Sequence, residues 1–254
     1  GDVDVTLIPA GHVLGSAQVV MDYMDTRIIY SGDFKRGPDP TCAGFDVWPC
    51  DVFITEATFG LPVFRHPPVD EEIGKLMQSL ARFPERAHLI GCYPLGKTQR
   101  LIAEIRNAGY AREIYIHGAL QKMIGLYETH ADMDFGDLVH VRAKSGQDYR
   151  GKLVFCPPSA CQDKWVRRFD DPVIGMASGW LRVRQRAKQR GVELPVIVSD
   201  HADWDALIQT IHDVNAREIW VTHGREDALV HYARQQGLEA RALSLVGRDD
   251  ESLE

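Results

Sequence analysis

Short apolar runs bounded by Gly, Pro or polar residues recur along the chain: VDVTLI, QVVMDY, RIIYSG, DVFITE, AHLIGCY, EIYIHG, KLVFC, PVIGMA, PVIVSD and EIWVTHG. Runs of this length and composition read as strands. Between many of them lie segments with apolar residues at helical spacing, namely EEIGKLMQSLARF, TQRLIAEIRNAG, ALQKMIGLYETH, DALIQTIHDVN and EDALVHYARQQG. Strands alternating with helices of that size predict a layered α/β protein. Residues 1–60 depart from the alternation, being strand-rich with almost no helical spacing, whereas 61–180 and again 195–245 alternate. The segment PVFRHPP at 62–68 carries three prolines and reads as a connection into a second domain.

Composition narrows this picture. The chain has 254 residues, 44% of them hydrophobic, with no repeat or low-complexity tract, which predicts one large or two small globular domains. No apolar run approaches the roughly 20 residues of a membrane span, and no secretory signal precedes the first strand, so a soluble, cytoplasmic protein is expected. Cys42, Cys50, Cys92, Cys156 and Cys161 fit neither a zinc ribbon nor a disulfide framework, and their odd number suits reduced thiols. A net charge of −7 argues against nonspecific polyanion binding by the whole surface. Yet KWVRRF and LRVRQRAKQR place eight lysines and arginines within 164–190. That stretch is either a solvated helix face or a basic stripe facing a phosphate backbone. The first residue is Gly1, inside a strand-like run and without an initiator Met, so the natural N-terminus is expected to lie upstream.

Five apolar runs end in residues able to act as acid, base or ligand. They lead to His12, to Asp33, to Glu56, to Asp200 with His201, and to His223. One Asp at a strand end is an ordinary turn or cap residue, and one His there is usually a satisfied polar group. Together they suggest residues from separate strands gathered at one sheet edge. Imidazole with carboxylate suits zinc or a similar divalent ion.

A competing motif is GCYPLGKT at 91–98, which fits the phosphate-binding pattern G-x-x-x-x-G-K-[ST] between a strand-like run and a helical segment. Pro94 removes one amide donor, however, and Tyr93 and Leu95 add bulk where small residues are usual. No strand ends in an Asp that would serve magnesium, VIVSD coming closest with Asp200. The turn still opens a helix with N–H groups and a lysine, so it is expected to hold a backbone phosphate, with a structural cap by Thr98 as the alternative.

PAGHVLGSAQ, YSGDFKRGPDP, ITEATFG, VSDHADW and WVTHG, in this order, resemble the motifs of metallo-β-lactamase-fold nucleases with a β-CASP insertion. YPLGKTQR, ASGWLRVR and SDHADW resemble the bacterial ligase-associated DNA exonuclease group in particular. The likeness runs over essentially the whole chain. It implies a partial metallo-β-lactamase αββα sandwich formed by 1–60 and 181–254, with an inserted β-CASP α/β cap domain at 61–180. The implied activity is a metal-dependent exonuclease on DNA, in DNA repair, using two zinc ions (manganese as the alternative) and linked functionally to a DNA ligase and a helicase. His12 would bind one metal, Asp33 would bridge both and His223 would bind the other. Glu56 would orient His201, the general acid. Lys97, Thr98 and Arg100, with Arg182 and Arg184 of the basic stretch, would position the nucleic acid without reading its sequence. A His at the place of His223 is also associated with RNA substrates, so a β-CASP ribonuclease in RNA 3′-end processing is the second reading. A non-catalytic nucleic-acid-binding relative is the third.

The resemblance has one gap. The family's H-x-H-x-D-H motif, which supplies further ligands, is missing, since none of the ten histidines forms an H-x-H pair. Truncation before Gly1 is the expected reason. With His12 and Asp33 for one ion, and Asp33 and His223 for the other, the chain is expected to hold zinc weakly and to lack nuclease activity.

Overall fold

The computed structural model describes residues 2–141 and 147–243. In chain order the strands are β1 (Asp4–Pro9), β2 (Ala17–Tyr23), β3 (Thr26–Tyr30), β4 (Val52–Ala57), β5 (His88–Gly91), β6 (Ile114–Ile116), β7 (Leu138–His140), β8 (Leu153–Cys156), β9 (Val173–Ala177), β10 (Leu194–Val196), β11 (Glu218–Gly224) and β12 (Glu239–Ala242). The helices are α1 (Val69–Arg82), α2 (Lys97–Asn107), α3 (Gln121–His130), α4 (Arg184–Gln189), α5 (Trp204–Asp213) and α6 (Glu226–Gln235). They form two compact units.

Unit 1 takes the described parts of Gly1–Gly37, Gly44–Phe64 and His201–Glu254. Its six-stranded sheet runs β1-β2-β3-β4-β11-β12, antiparallel from β1 to β3 and parallel from β3 onward. Side chains alternate along a strand, so Ile8, Val20, Ile29, Phe53, Ile219 and Val221 share one face. That face is buried against Leu207 and Ile211 of α5 and Leu229 and Ala233 of α6. The other face leaves Val5 and Leu7 of β1 exposed. Helix α5 starts where Asp203 accepts the Ala206 N–H at 2.9 Å, the side-chain cap that the SDHADW segment encodes.

Unit 2 takes Pro38–Ala43 and Arg65–Asp200. Its six strands, in the order β10-β9-β5-β8-β6-β7, are all parallel. Parallel strands covered on both faces should be apolar throughout, and HLIG, LVFC and IYI are buried at every position. The return boundary lies at Asp200/His201, later than the 180 expected from sequence. The reason is β10, which pairs with β9 in the second sheet and keeps 181–200 in unit 2. The short piece Pro38–Ala43 also joins unit 2, where Asp39 meets the Arg100 guanidinium at 3.4 Å. Among the described residues no helix is long and apolar enough to cross a membrane.

Candidate metal centre

Three loops at the ends of β1, β3 and β4, together with the residues before α5, bring the sequence-predicted groups of unit 1 together. After β1 the chain turns at Gly11, whose φ is +72°. A Cβ there would stand 2.4 Å from the Lys35 carbonyl oxygen, so only glycine lets the two loops lie this close. The Lys35 N–H donates to the Ala10 carbonyl at 3.1 Å, which ties the His12 loop to the segment that follows Asp33. Ser16 Oγ accepts the N–H groups of His12 and Val13, both at 3.1 Å, and closes the turn.

His12, Asp33 and His201 each offer one donor atom within 4.8 Å of the others. His12 Nε2 lies 4.0 Å from Asp33 Oδ2, and the two imidazole rings are 4.6 Å apart between centroids. An imidazole and a carboxylate, those of His12 and Asp33, match the donor chemistry of a zinc-type ion, with the His201 ring close enough either to complete the set or to act beside it. The residues present therefore fit a divalent cation.

Behind His201 lies Glu56, 2% exposed at the end of β4. His201 Nδ1 stands 2.9 Å from Glu56 Oε2 and 3.1 Å from Oε1. Phe34 donates its N–H to Oε1 at 2.7 Å, and the Thr58 hydroxyl lies 3.4 Å from the same imidazole nitrogen. Burial alone would raise the Glu56 carboxyl. The neighbouring His201 charge and the hydrogen bonds from His201, Thr58 and Phe34 outweigh it and hold the carboxyl below its ordinary value. An ionised carboxylate only accepts, so Nδ1 carries the proton of this bond and Nε2 is the ring's other nitrogen. The Ala202 N–H donates to the Phe34 carbonyl at 2.6 Å, so one backbone segment braces both Glu56 and the histidine loop.

His223 is placed differently. It ends β11, exposed, with a φ of +62° that non-glycine residues rarely adopt. The register between β11 and β4 shifts between Val221 and Gly224, and a Cβ at Gly224 would lie 2.2 Å from the Ala57 carbonyl oxygen. The bend thus puts His223 beside the strand end that carries Glu56, but outside the donor trio among the described residues.

The 91–98 loop does not present the phosphate cradle expected of it. The N–H groups of Lys97, Thr98 and Arg100 donate to the carbonyls of Leu95, Tyr93 and Gly96 at 3.0, 3.2 and 2.9 Å. The Thr98 hydroxyl donates to Tyr93 O at 2.7 Å, and Lys97 Nζ pairs with Asp200 Oδ2 at 2.8 Å, both side chains 7% exposed. Arg100 donates to the Ser199 carbonyl at 2.7 Å. Lys97, Thr98 and Arg100, expected to hold nucleic acid, are instead internal ties of unit 2, because the turn consumes its own donors. Arg182 and Arg184 are exposed. Sequence reading passed over Thr58 and Asp39. Thr58 stands two positions past Glu56 in ITEATFG, and Asp39 lies in RGPDP, but no local spacing announces their distant partners.

No family model matches the chain. It is 28% identical over 262 residues to a probable DNA ligase of Opitutus terrae, covering 98% of the chain and 24% of that relative. It is 31% identical over 189 residues to cleavage and polyadenylation specificity factor subunit 3 of Dictyostelium discoideum, covering 69% of the chain and 23% of the relative. An RNase J-like protein of Methanocaldococcus jannaschii is 28% identical over 130 residues, covering 48% of the chain and 31% of that protein. The chain thus spans about a quarter to a third of the curated relatives it matches. A crystal structure of a protein of unknown function from Enterococcus faecalis superposes with a TM-score of 0.62 at 12% identity, covering 98% of this chain and 64% of that one, a likeness of fold alone.

Proposed function

We propose that this chain, whose mixed α/β architecture is that of the metallo-β-lactamase/β-CASP proteins, carries part of the centre of a metal-dependent phosphodiesterase acting on nucleic acid. The observation that carries the reading is the convergence of His12, Asp33 and His201, with His201 backed by buried Glu56. His12 and Asp33 would hold a divalent cation. When bound, such an ion supplies Lewis-acid polarisation of a phosphoryl oxygen and an activated water at neutral pH. Glu56 fixes the His201 ring and its tautomer. Protonated on both nitrogens, with Nδ1–H held by Glu56, the His201 ring can give the proton on Nε2 to the departing sugar oxygen. DNA is the favoured substrate, supported by the relative named as a probable DNA ligase, whose match runs over 98% of the chain. RNA is the second reading, supported by relatives named as a polyadenylation factor subunit and as endoribonucleases.

The test pairs metal content with cleavage of end-labelled single-stranded DNA and RNA, in the 254-residue chain and in its longest natural form. His12→Ala and Asp33→Ala are expected to lose metal. His201→Ala is expected to keep it while cleavage slows by roughly 10²–10⁴. Loss of metal in His201→Ala would make that histidine a ligand and defeat its assignment as the acid. Absence of metal-dependent cleavage in the longest form would defeat the nuclease reading.

A further inference from the structure

A cavity of about 690 Å³ opens on unit 2 between α1, the turn leading into α4, and β10. That volume lies in the range of small-molecule sites, about 300–1,000 Å³. Its apolar lining comes from Phe83, Leu181, Ala187, Leu194 and Ile197. Its cations are Lys75, Arg82, Arg182 and Arg184.

The balance of charge decides what such a cavity can take. Lys75 is paired with buried Glu72, whose other oxygen accepts the Ile197 N–H at 2.8 Å. The one carboxylate on the wall, Glu193, is held by the Arg86 guanidinium through two bonds of 2.7 and 2.8 Å. Among the described residues, no ion pair answers Arg82, Arg182 or Arg184. In a chain of net charge −7, three unanswered guanidinium groups around one apolar hollow are not the average surface. The Arg82 and Arg86 guanidinium groups both lie over the Phe83 ring, 5.4 and 5.5 Å from its centroid, so the aromatic wall and its cations form one surface.

We propose that this cavity binds a nucleoside phosphate, the base against Phe83 and the aliphatic floor, the phosphate on Arg82, Arg182 and Arg184. Guanidinium groups suit phosphate because their N–H donors match its oxygens in pairs. The apolar part requires a planar body attached to that anion, which inorganic phosphate and an acidic peptide side chain both lack. Two sources carry this chemistry, a free nucleotide and an unpaired nucleotide of a single strand. The site stands on its own lining and goes beyond the proposed cleavage: a chain that binds here without cutting keeps it.

The experiment is calorimetric titration of the 254-residue chain in EDTA, so that no cleavage intervenes, with AMP, adenosine, inorganic phosphate and a ten-nucleotide single-stranded DNA. AMP is expected to bind at least about tenfold tighter than adenosine or phosphate, because only AMP fills both halves of the site. Arg82→Glu with Arg184→Glu, both exposed and outside any ion pair among the described residues, should keep the unfolding midpoint and weaken AMP at least about tenfold. Phe83→Leu should weaken AMP while leaving phosphate binding alone. If the DNA binds and is weakened by the same substitutions, the ligand is a residue of a strand. If AMP binds and the DNA does not, it is the free nucleotide. Equal binding of AMP and phosphate, or binding indifferent to the charge reversals, overturns the proposal.

Discussion

Replacing Glu56 by Gln tests the centre at its most buried point. The carboxylate receives the Phe34 N–H on Oε1 and the His201 Nδ1–H on Oε2. The amide of Gln can still accept from Phe34 through its oxygen, but it then turns its NH₂ toward His201. Two donors cannot face each other, so His201 must give up the Nδ1 proton and carry it on Nε2. The substitution therefore changes a tautomer as well as a charge.

Its stability cost follows from the same contacts. A hydrogen bond to a charged group contributes about 1.5–3 kcal/mol. His201 keeps 22% of its side chain exposed, which takes the lower half of that range, and the amide is easier to bury than the carboxylate. The net loss should be about 1–2 kcal/mol at pH 7. The pH dependence has a definite sign. Glu56 titrates below its ordinary 4.5 in the folded chain, so its contribution is present above 4.5 and disappears as pH falls through the folded value. Urea unfolding should thus separate parent and Glu56→Gln at pH 7 and bring their curves together in acid. Nitrogen-15 NMR of the His201 ring should report Nδ1–H in the parent and Nε2–H in the variant. Equal urea midpoints at pH 7, with the His201 proton still on Nδ1, would refute the pairing as the source of both effects.

Lys97→Ala should destabilise the chain by about 3–5 kcal/mol, since it leaves the buried Asp200 carboxylate without its cation. Adding Asp200→Asn should recover much of that loss, and the parent chain should show no ATP-dependent thermal shift; a micromolar ATP affinity in the parent that is lost with Lys97 would contradict this. Gly224→Ala should cost about 2 kcal/mol or more in urea unfolding, because its φ of +107° and the 2.2 Å approach to Ala57 O leave no room for a methyl group. Among the thiols, half-buried Cys42 should be labelled first by a disulfide reagent at pH 8, whereas burial pushes Cys50 and Cys92 up to about 12 and should delay both until unfolding. Equal labelling rates for Cys42 and Cys92 in the folded chain would speak against that environment.

The strands legible from sequence are those with apolar side chains on a buried face. VFIT, HLIG, LVFC and VIGMA became β4, β5, β8 and β9, inside their sheets. The strands that the pattern missed, β7 (LVH) and β12 (EARA), are each the last strand of a sheet. Both are short with at most one buried side chain, so they leave little periodicity to read, unlike β1 and β10, the opposite edges, whose apolar residues the pattern found. Helix α4, RQRAKQ, matches the solvated helix face that is one of the two readings of this stretch, since only Ala187 of its six residues is buried.

The candidate site shows a second limit, set by contacts that span the chain. The dipeptide Asp200–His201 reads as one strand-end motif, yet its two side chains take up unrelated work. Asp200 is buried against Lys97 at the start of α2, and His201 bonds to Glu56. The first contact makes a letter-perfect phosphate-loop signature into an internal tie, and the second makes a turn histidine into an oriented one. Both depend on partners more than a hundred positions away, and the chain passes from one compact unit to the other between these two residues. Sequence spacing finds residues capable of chemistry because strand ends recur. It assigns them wrongly where a lysine or carboxylate is spent on holding the fold, since a buried charge must find a partner and the nearest partner in space need not be near in sequence. Lys97 is such a lysine, and the Asp200 carboxylate is its partner.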